Sequence, residues 1–290
     1  MSSAEATMTH PVIDDIESAS NSPLPVVTAR SERALSTWAV HSLIQCKRLL
    51  LTWARDPSTT IQTLIYPALS LLMFRIVLGK PITTATGIPS IYGQVAMMTL
   101  IAAMTGAVVS AIGFKTEKAT GLLGRFWTMP VHRAAGLTGR ILAEAVRVFL
   151  TTLFVVAVGV VIGFRFGQGP LAGIALIGIP VLFGIGFAVL ITTLATITEG
   201  VLLIGLIGTV NTLLMFFNSG FVPVFAYPVW LQSTVENQPM SCAVDAMRGL
   251  SYGGPVAEPL MKSLAWSIGL IVVFAYPAIR GYRRAAETGR

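Results

Sequence analysis

The sequence predicts an all-α integral membrane protein with six transmembrane helices. Hydrophobic residues make up 54% of the 290 residues, and the mean hydropathy is +0.75. Charged residues make up only 11%, whereas a typical soluble domain has about 25%. A soluble domain of this length needs more polar side chains to cover its surface. Composition therefore excludes an ordinary soluble enzyme and a long disordered chain.

Residues 1–34 differ from the rest of the chain. They are rich in Ser, Thr, Ala and Pro, and they lack a basic start followed by an apolar run. A cleaved signal peptide is therefore excluded. We expect this segment to be a disordered cytosolic tail.

Residues 35–56 predict an amphipathic helix that lies in the membrane interface. Its polar side chains recur every three or four residues on one face, which we expect to point toward water. They are His41, Gln45, Arg48, Thr52 and Arg55. The alternative is a short helix packed in a cytosolic subdomain, but no other segment offers a soluble core for it. Asp56 and Pro57 are expected to end the helix.

Residues 57–280 predict the six-helix transmembrane domain, because a helix needs about 20 apolar residues to cross the bilayer. The six segments are 59–79, 92–114, 141–164, 171–198, 201–222 and 260–280. With both termini in the cytosol, 14 bases lie on the cytosolic side, Arg147 lies within a span, and five bases lie outside. Those five are Arg75, Lys80, Arg165, Arg248 and Lys262.

This distribution follows the positive-inside rule, so both termini, including a basic tail over 281–290, are expected in the cytosol. It also accounts for the net charge of +7 without a nucleic-acid partner. The predicted location is the cell membrane.

Residues 115–140 form the only sizeable predicted cytosolic loop, with five bases and one acid. Gly121 and Gly124 can bracket a short helix that Pro130 ends. The loop also carries apolar side chains that a solvated loop does not need, among them Leu122 and Phe126. Such a cluster suits either a docking surface for a partner protein or a helix resting on lipid headgroups. The residues alone do not decide between the two.

Residues 220–259 form the longest predicted outer loop, and it is unusually apolar. Pro223 and Pro228 interrupt any continuous span. The pattern favours a re-entrant or interface-lying pair of short helices. One of them is expected from Met240 to Leu250, ended by the glycines that follow.

A few polar side chains fall inside the predicted spans. Glu144 and Arg147 share one helical face, where they either mark a transport pathway or form a self-satisfied pair near the interface. Asn211 and Asn218 either bond between helices or line a cavity.

Two chemical motifs are absent from the sequence, the GxxxxGK[ST] nucleotide-binding loop and the HExxH zinc motif. We therefore predict no catalytic, cofactor-binding or metal-binding residue in this chain. Cys46 and Cys242 are expected on opposite sides of the membrane, where they cannot pair. The scarcity of acids in the spans weakens a gradient-driven transport mechanism.

Two stretches resemble the permeases of type 2 ABC exporters. Residues 121–147, GLLGRFWTMPVHRAAGLTGRILAEAVR, resemble the first cytosolic loop of these proteins. Residues 221–250, FVPVFAYPVWLQSTVENQPMSCAVDAMRGL, resemble their outer segment between the last two spans. Within the family, the chain is most similar to the daunorubicin- and doxorubicin-resistance permeases of actinobacteria.

This resemblance implies a permease subunit of an ATP-driven exporter that moves an amphipathic drug or lipid out of the cell. Two permease subunits, identical or paralogous, would pair among membrane lipids, and two separate ATPase subunits would bind ATP and Mg²⁺. The residues implied to couple the ATPase to the spans are Glu117, Gly121, Leu122, Arg125, Phe126 and Pro130. The alternatives are a membrane scaffold or immunity protein without flux, and a gradient-driven secondary drug transporter.

Overall fold

The computed structural model describes residues 35–129, 131–197, 201–220 and 222–288. Within these ranges all regular structure is helical, and five helices are long and apolar enough to cross a membrane. The prediction of a helical, multi-pass membrane protein is therefore confirmed. The predicted tail over 1–34, Pro130 and the last two residues lie outside the described residues.

The five candidate spans belong to five long helices. They are α2 (Pro57–Thr86), α3 (Ile91–Ala119), α5 (Ala135–Val161), α6 (Pro170–Ile197) and α10 (Ala257–Thr288). The other helices are α1 (Leu35–Arg55), α4 (Leu122–Thr128), α7 (Val201–Phe216), α8 (Val229–Asn237) and α9 (Pro239–Tyr252). Helix α7 corresponds to the predicted span 201–222, but it has only 16 residues. The sixth span therefore stays a prediction.

Helix α3 forms the centre of the bundle and packs against α2, α5, α6 and α9. Small side chains let the neighbouring helices approach closely. A β-carbon at Gly184 of α6 would lie 2.9 Å from Val148 of α5 and 3.3 Å from Ala103 of α3. Ala103 of α3 and Gly184 of α6 therefore allow close helix packing within this chain.

Helix α1 ends at Arg55 as predicted, because Asp56 accepts a hydrogen bond of 3.0 Å from the backbone of Ser58 and caps α2. The prediction that its polar face points toward water is wrong for Gln45 and Arg48. Gln45 is buried, and Arg48 bonds across to α3. Several large apolar side chains of α1 are instead exposed, among them Leu35 and Leu43, while Thr52 and Arg55 of the predicted polar face are exposed as expected.

Helix α1 packs against the first half of α5 through this polar face. Ser42 and Thr138 share a hydrogen bond of 2.7 Å, and Trp38 donates to the same threonine over 3.2 Å. A β-carbon at Gly139 would lie 2.6 Å from Cβ of Gln45. Polar groups of α1 thus bond to α5, which offers matching partners at short range.

The segment predicted as the outer loop contains a pair of short helices, α8 and α9. Helix α9 ends at Gly253, whose φ of +114° suits glycine. It is mostly buried against α3, α6 and α10, so it is a packed part of the bundle rather than a surface loop.

Two predicted boundaries differ from the observed helix ends. The segment predicted as loop 115–140 is helical up to Ala119 and again from Ala135. Helix α10 likewise continues past residue 280 to Thr288, into the predicted basic tail. Charged residues marked both boundaries in the sequence, but these helices keep charges in their end turns because ion pairs neutralise several of them.

Candidate functional site

The carboxylate of Glu117, in the last turns of α3, joins three helices. One oxygen accepts a hydrogen bond of 2.7 Å from Nη2 of Arg48 in α1. The other accepts from Nη2 of Arg140 in α5. Arg140 also donates to the carbonyl of Ser110 over 3.0 Å, and only 6% of its side chain is exposed. The predicted coupling residue Glu117 is therefore the centre of a largely buried ion-pair network.

Helix α4 is attached to this network through Phe126. The guanidinium carbon of Arg48 lies 4.9 Å from the centre of the Phe126 ring, a cation–π contact. On the same helix, Leu123 is buried in the core cluster. Arg125, in contrast, is exposed. Helix α4 thus has one side chain in contact with the ion pairs and another at the surface.

The remaining predicted coupling residues lie around the start and end of α4. Gly121 precedes the helix with a φ of +71°, a left-handed conformation that favours glycine. Leu122 is half-buried at the first turn. Helix α4 ends at Thr128, and Pro130 lies outside the described residues.

Glu144 and Arg147 of α5 form an ion pair within one helix, and both are buried. The guanidinium of Arg147 lies against Gly106 of α3, where a β-carbon would lie 2.3 Å from Nη2. The pair also lines a cavity of about 390 Å³ among α1, α2, α3 and α5. The pair is therefore self-paired and also faces a cavity, and its role in a transport pathway stays a prediction.

The two asparagines near the predicted fifth span have different environments. Asn218 is fully buried just beyond α7 and donates to the carbonyls of Met215 and Leu214. Its side-chain oxygen accepts from the backbone of Gly220 over 2.8 Å, so these bonds shape the end of α7. Asn211 is half-buried, and its side-chain oxygen has no hydrogen-bond partner among the described residues.

A second polar cluster lies at the opposite end of the bundle, on α9. Asp245 accepts a hydrogen bond of 2.6 Å from Arg248 and one of 2.8 Å from Ser219. Burial raises the pKa of the Asp245 carboxyl, and the two donors only partly oppose this shift. The three side chains line a cavity of about 500 Å³ between α9, the end of α2 and the start of α3.

Sequence reasoning missed three residues of these clusters. The sequence pattern predicts a water-facing position for Arg48, and it places Arg140 four residues before Glu144 without indicating its pair with Glu117. Asp245 was not singled out, although it is a lone acid in an apolar helix with Arg248 three residues later.

The sequence pattern of the ABC-2 type transporter family matches residues 43–252, which include both clusters. The chain belongs to the ABC-2 type transporter family. It is therefore a multi-pass membrane protein of the permease type.

This ABC-2 permease is similar to proteins from bacteria and from a red-algal genus. It is 41% identical over 256 residues to the probable doxorubicin resistance ABC transporter permease protein DrrC of Mycobacterium tuberculosis, covering 88% of this chain and 93% of the relative. It is 27% identical over 265 residues to the daunorubicin resistance ABC transporter permease protein DrrB1 of Streptomyces coeruleorubidus, covering 89% and 91%. It is also 27% identical over 217 residues to the putative transport permease ycf38 of Porphyra purpurea, covering 72% of each.

Proposed function

We propose that this ABC-2 permease is the membrane subunit of an ATP-driven exporter, powered by a separate ATPase subunit that docks on α4. The observation that carries the proposal is the network that joins α4 to the spans. Phe126 of α4 contacts Arg48, Arg48 bonds Glu117, and Glu117 bonds Arg140. A displacement of α4 would therefore reach α1 through Arg48, and Glu117 links Arg48 to α3 and to α5, the second link being a buried ion pair that is costly to break.

The position of α4 supports docking rather than simple contact with lipid. Leu123 packs into the core and anchors α4 there, so a partner that binds α4 can transmit a displacement to the bundle. Arg125 and Met129 are exposed beside it, a base and an apolar side chain of the types that protein interfaces use. ATP and Mg²⁺ then belong to the ATPase, and two copies of it would serve two permease subunits.

Two single substitutions separate docking from transmission. Arg125→Glu reverses the exposed charge on α4, so we expect the permease to lose co-purification with its ATPase. Phe126→Ala removes only the ring beneath Arg48, so we expect the ATPase still to bind while transport falls. Both variants should insert normally, because neither residue lies in a candidate span.

Lys47→Glu is the matched control for Arg125→Glu. Lys47 is an exposed base on α1, one residue from Arg48, and it is not part of α4. We expect this variant to retain both ATPase binding and transport. Normal ATPase binding and transport in Arg125→Glu and Phe126→Ala would contradict the assignment of α4 as the coupling helix.

We further propose that the second permease subunit packs on α7. This helix makes few contacts within the chain, and Gly205, Gly208 and Thr212 form an exposed stripe of small residues. Such stripes allow close approach of helices in a membrane. Gly208→Cys should form a disulfide-linked dimer in native membranes, whereas a cysteine at the exposed Ile268 of α10 should not.

The cargo we propose is an amphipathic drug or lipid. The relatives named for doxorubicin and daunorubicin resistance support this class. The cavity beside Glu144 and Arg147 supports it too, because its lining combines apolar side chains with charged ones. In vesicles that contain the permease and its ATPase, doxorubicin movement should require ATP and persist when the proton gradient is collapsed. Transport that follows the gradient and ignores ATP would instead identify a secondary transporter.

A further inference from the structure

An apolar groove lies between α5, α6 and α10, and the proposed function does not use it. It has a volume of about 380 Å³. Leu137 and Ile141 of α5 form one wall, and Ile271 and Ala275 of α10 form the other. Ile185 and Val189 of α6 form its floor. The groove is therefore bounded by three candidate spans.

The dimensions of the groove suit one hydrocarbon chain. Along α10 its lining runs from Ile271 to Arg283, which is about 18 Å at ~1.5 Å per residue. That length is close to the depth of one leaflet, about half of the ~30 Å hydrocarbon core. Its apolar lining over this length suits an acyl chain that lies parallel to α10.

One end of the groove is basic. Arg133, just before α5, and Arg283 of α10 both line it there and are both exposed. Arg283 uses Nε in its 3.0 Å ion pair with Glu287. Among the described residues, its two terminal nitrogens have no protein partner. The positive end of the α5 dipole, at Ala135, adds to the attraction for an anion.

We propose that this groove binds one anionic phospholipid, with an acyl chain between α5 and α10 and the phosphate between Arg133 and Arg283. Apolar walls with bases at one end match a lipid that has a charged head and an apolar tail. Basic pockets between transmembrane helices bind anionic headgroups in this way, and the cytosolic leaflet is rich in such lipids. The lipid is a bound ligand of the permease rather than its cargo.

Native mass spectrometry of the purified full-length permease tests the site with two added lipids. Phosphatidylglycerol and phosphatidylcholine with identical acyl chains serve as probes, since they differ in headgroup charge. We expect wild type to retain phosphatidylglycerol preferentially. The double variant Arg133→Gln, Arg283→Gln should lose roughly 25-fold of that preference, because each arginine near a membrane surface contributes roughly fivefold. Glycerol phosphate, which carries the headgroup charge without chains, should not bind.

A matched double variant and a groove-filling variant complete the test. Lys47→Gln with Arg280→Gln removes the same charge from exposed positions outside the groove, and it should leave the preference unchanged. Ala275→Phe fills the groove while keeping both arginines, so it should reduce retention of both lipids. Equal retention of the two lipids by wild type would overturn the proposal. So would equal losses in the two double variants, or disulfide-linked dimers of Ala275→Cys, since a protein would then cover the groove.

Discussion

Replacing Glu117 with glutamine should strongly destabilise the permease. The substitution keeps the size of the side chain but removes the charge that faces two arginines. Arg140 is the costly partner, because only 6% of its side chain is exposed and no other carboxylate forms an ion pair with it among the described residues. It keeps the Ser110 carbonyl, the Phe114 ring and the more distant charge of Glu144. Arg48 is 33% exposed, so water can compensate its loss in part.

Breaking a buried ion pair costs about 3–5 kcal/mol, because it leaves an uncompensated charge. We expect Glu117→Gln to fall near the lower value, about 3 kcal/mol, since only one of the two arginines is deeply buried. Unfolding of the detergent-purified chain, followed by tryptophan fluorescence against denaturant, measures this difference. Adding Arg140→Met should recover much of the loss, because no unpaired charge is then left in the interior.

Glu287→Gln is the control for this prediction. Glu287 also pairs with an arginine, but 46% of its side chain is exposed, so its loss should change stability by less than about 0.5 kcal/mol. Equal stability of Glu117→Gln and Glu287→Gln would refute the reasoning. A double variant as unstable as Glu117→Gln alone would also refute it, because the penalty could not then come from Arg140.

Three further predictions concern other parts of the fold. Gly139→Ala should cost roughly 1–3 kcal/mol by forcing α1 away from α5, whereas Gly113→Ala, with no atom within 4 Å, should not destabilise the chain. Burial raises the pKa of Asp245 above its ordinary 3.8, so folding favours the protonated acid. As the pH rises through that raised pKa, the melting temperature of the wild type should fall relative to that of Asp245→Asn. Cys46 and Cys242 are free and buried, and burial raises the pKa of both thiols, so maleimide at neutral pH should label them only after denaturation.

Much of the helical plan could be predicted from the sequence, because apolar length is a direct requirement of the bilayer. The helices over α2, α3, α5, α6 and α10 follow from this requirement. The end of α1 before Asp56 could also be predicted, but for a local reason: Pro57 cannot continue α1, and the Asp56 carboxylate caps the helix that follows. Their exact ends could not be predicted, because charged residues extend α3 to Ala119 once they find partners on other helices.

The direction of the polar face of α1 could not be predicted either. Periodicity shows that Gln45 and Arg48 share a face, but it does not show what lies opposite that face. The answer depends on Glu117 and Arg140, which are separated from Arg48 by 69 and 92 residues in the sequence. Pairing between residues so far apart in the sequence can be identified only once the helices are packed in the folded bundle.

The two bonds of Glu117 differ in a way that bears on the proposed coupling. The bond to Arg140 is buried and ties α3 to α5, so water cannot readily replace it. The bond to Arg48 is one-third exposed, so water can take its place at a smaller cost. Arg48 is also the residue that contacts Phe126 of α4. A push on α4 should therefore loosen α1 first while α3 and α5 move together as one unit, which makes α1 the hinge between the ATPase and the spans.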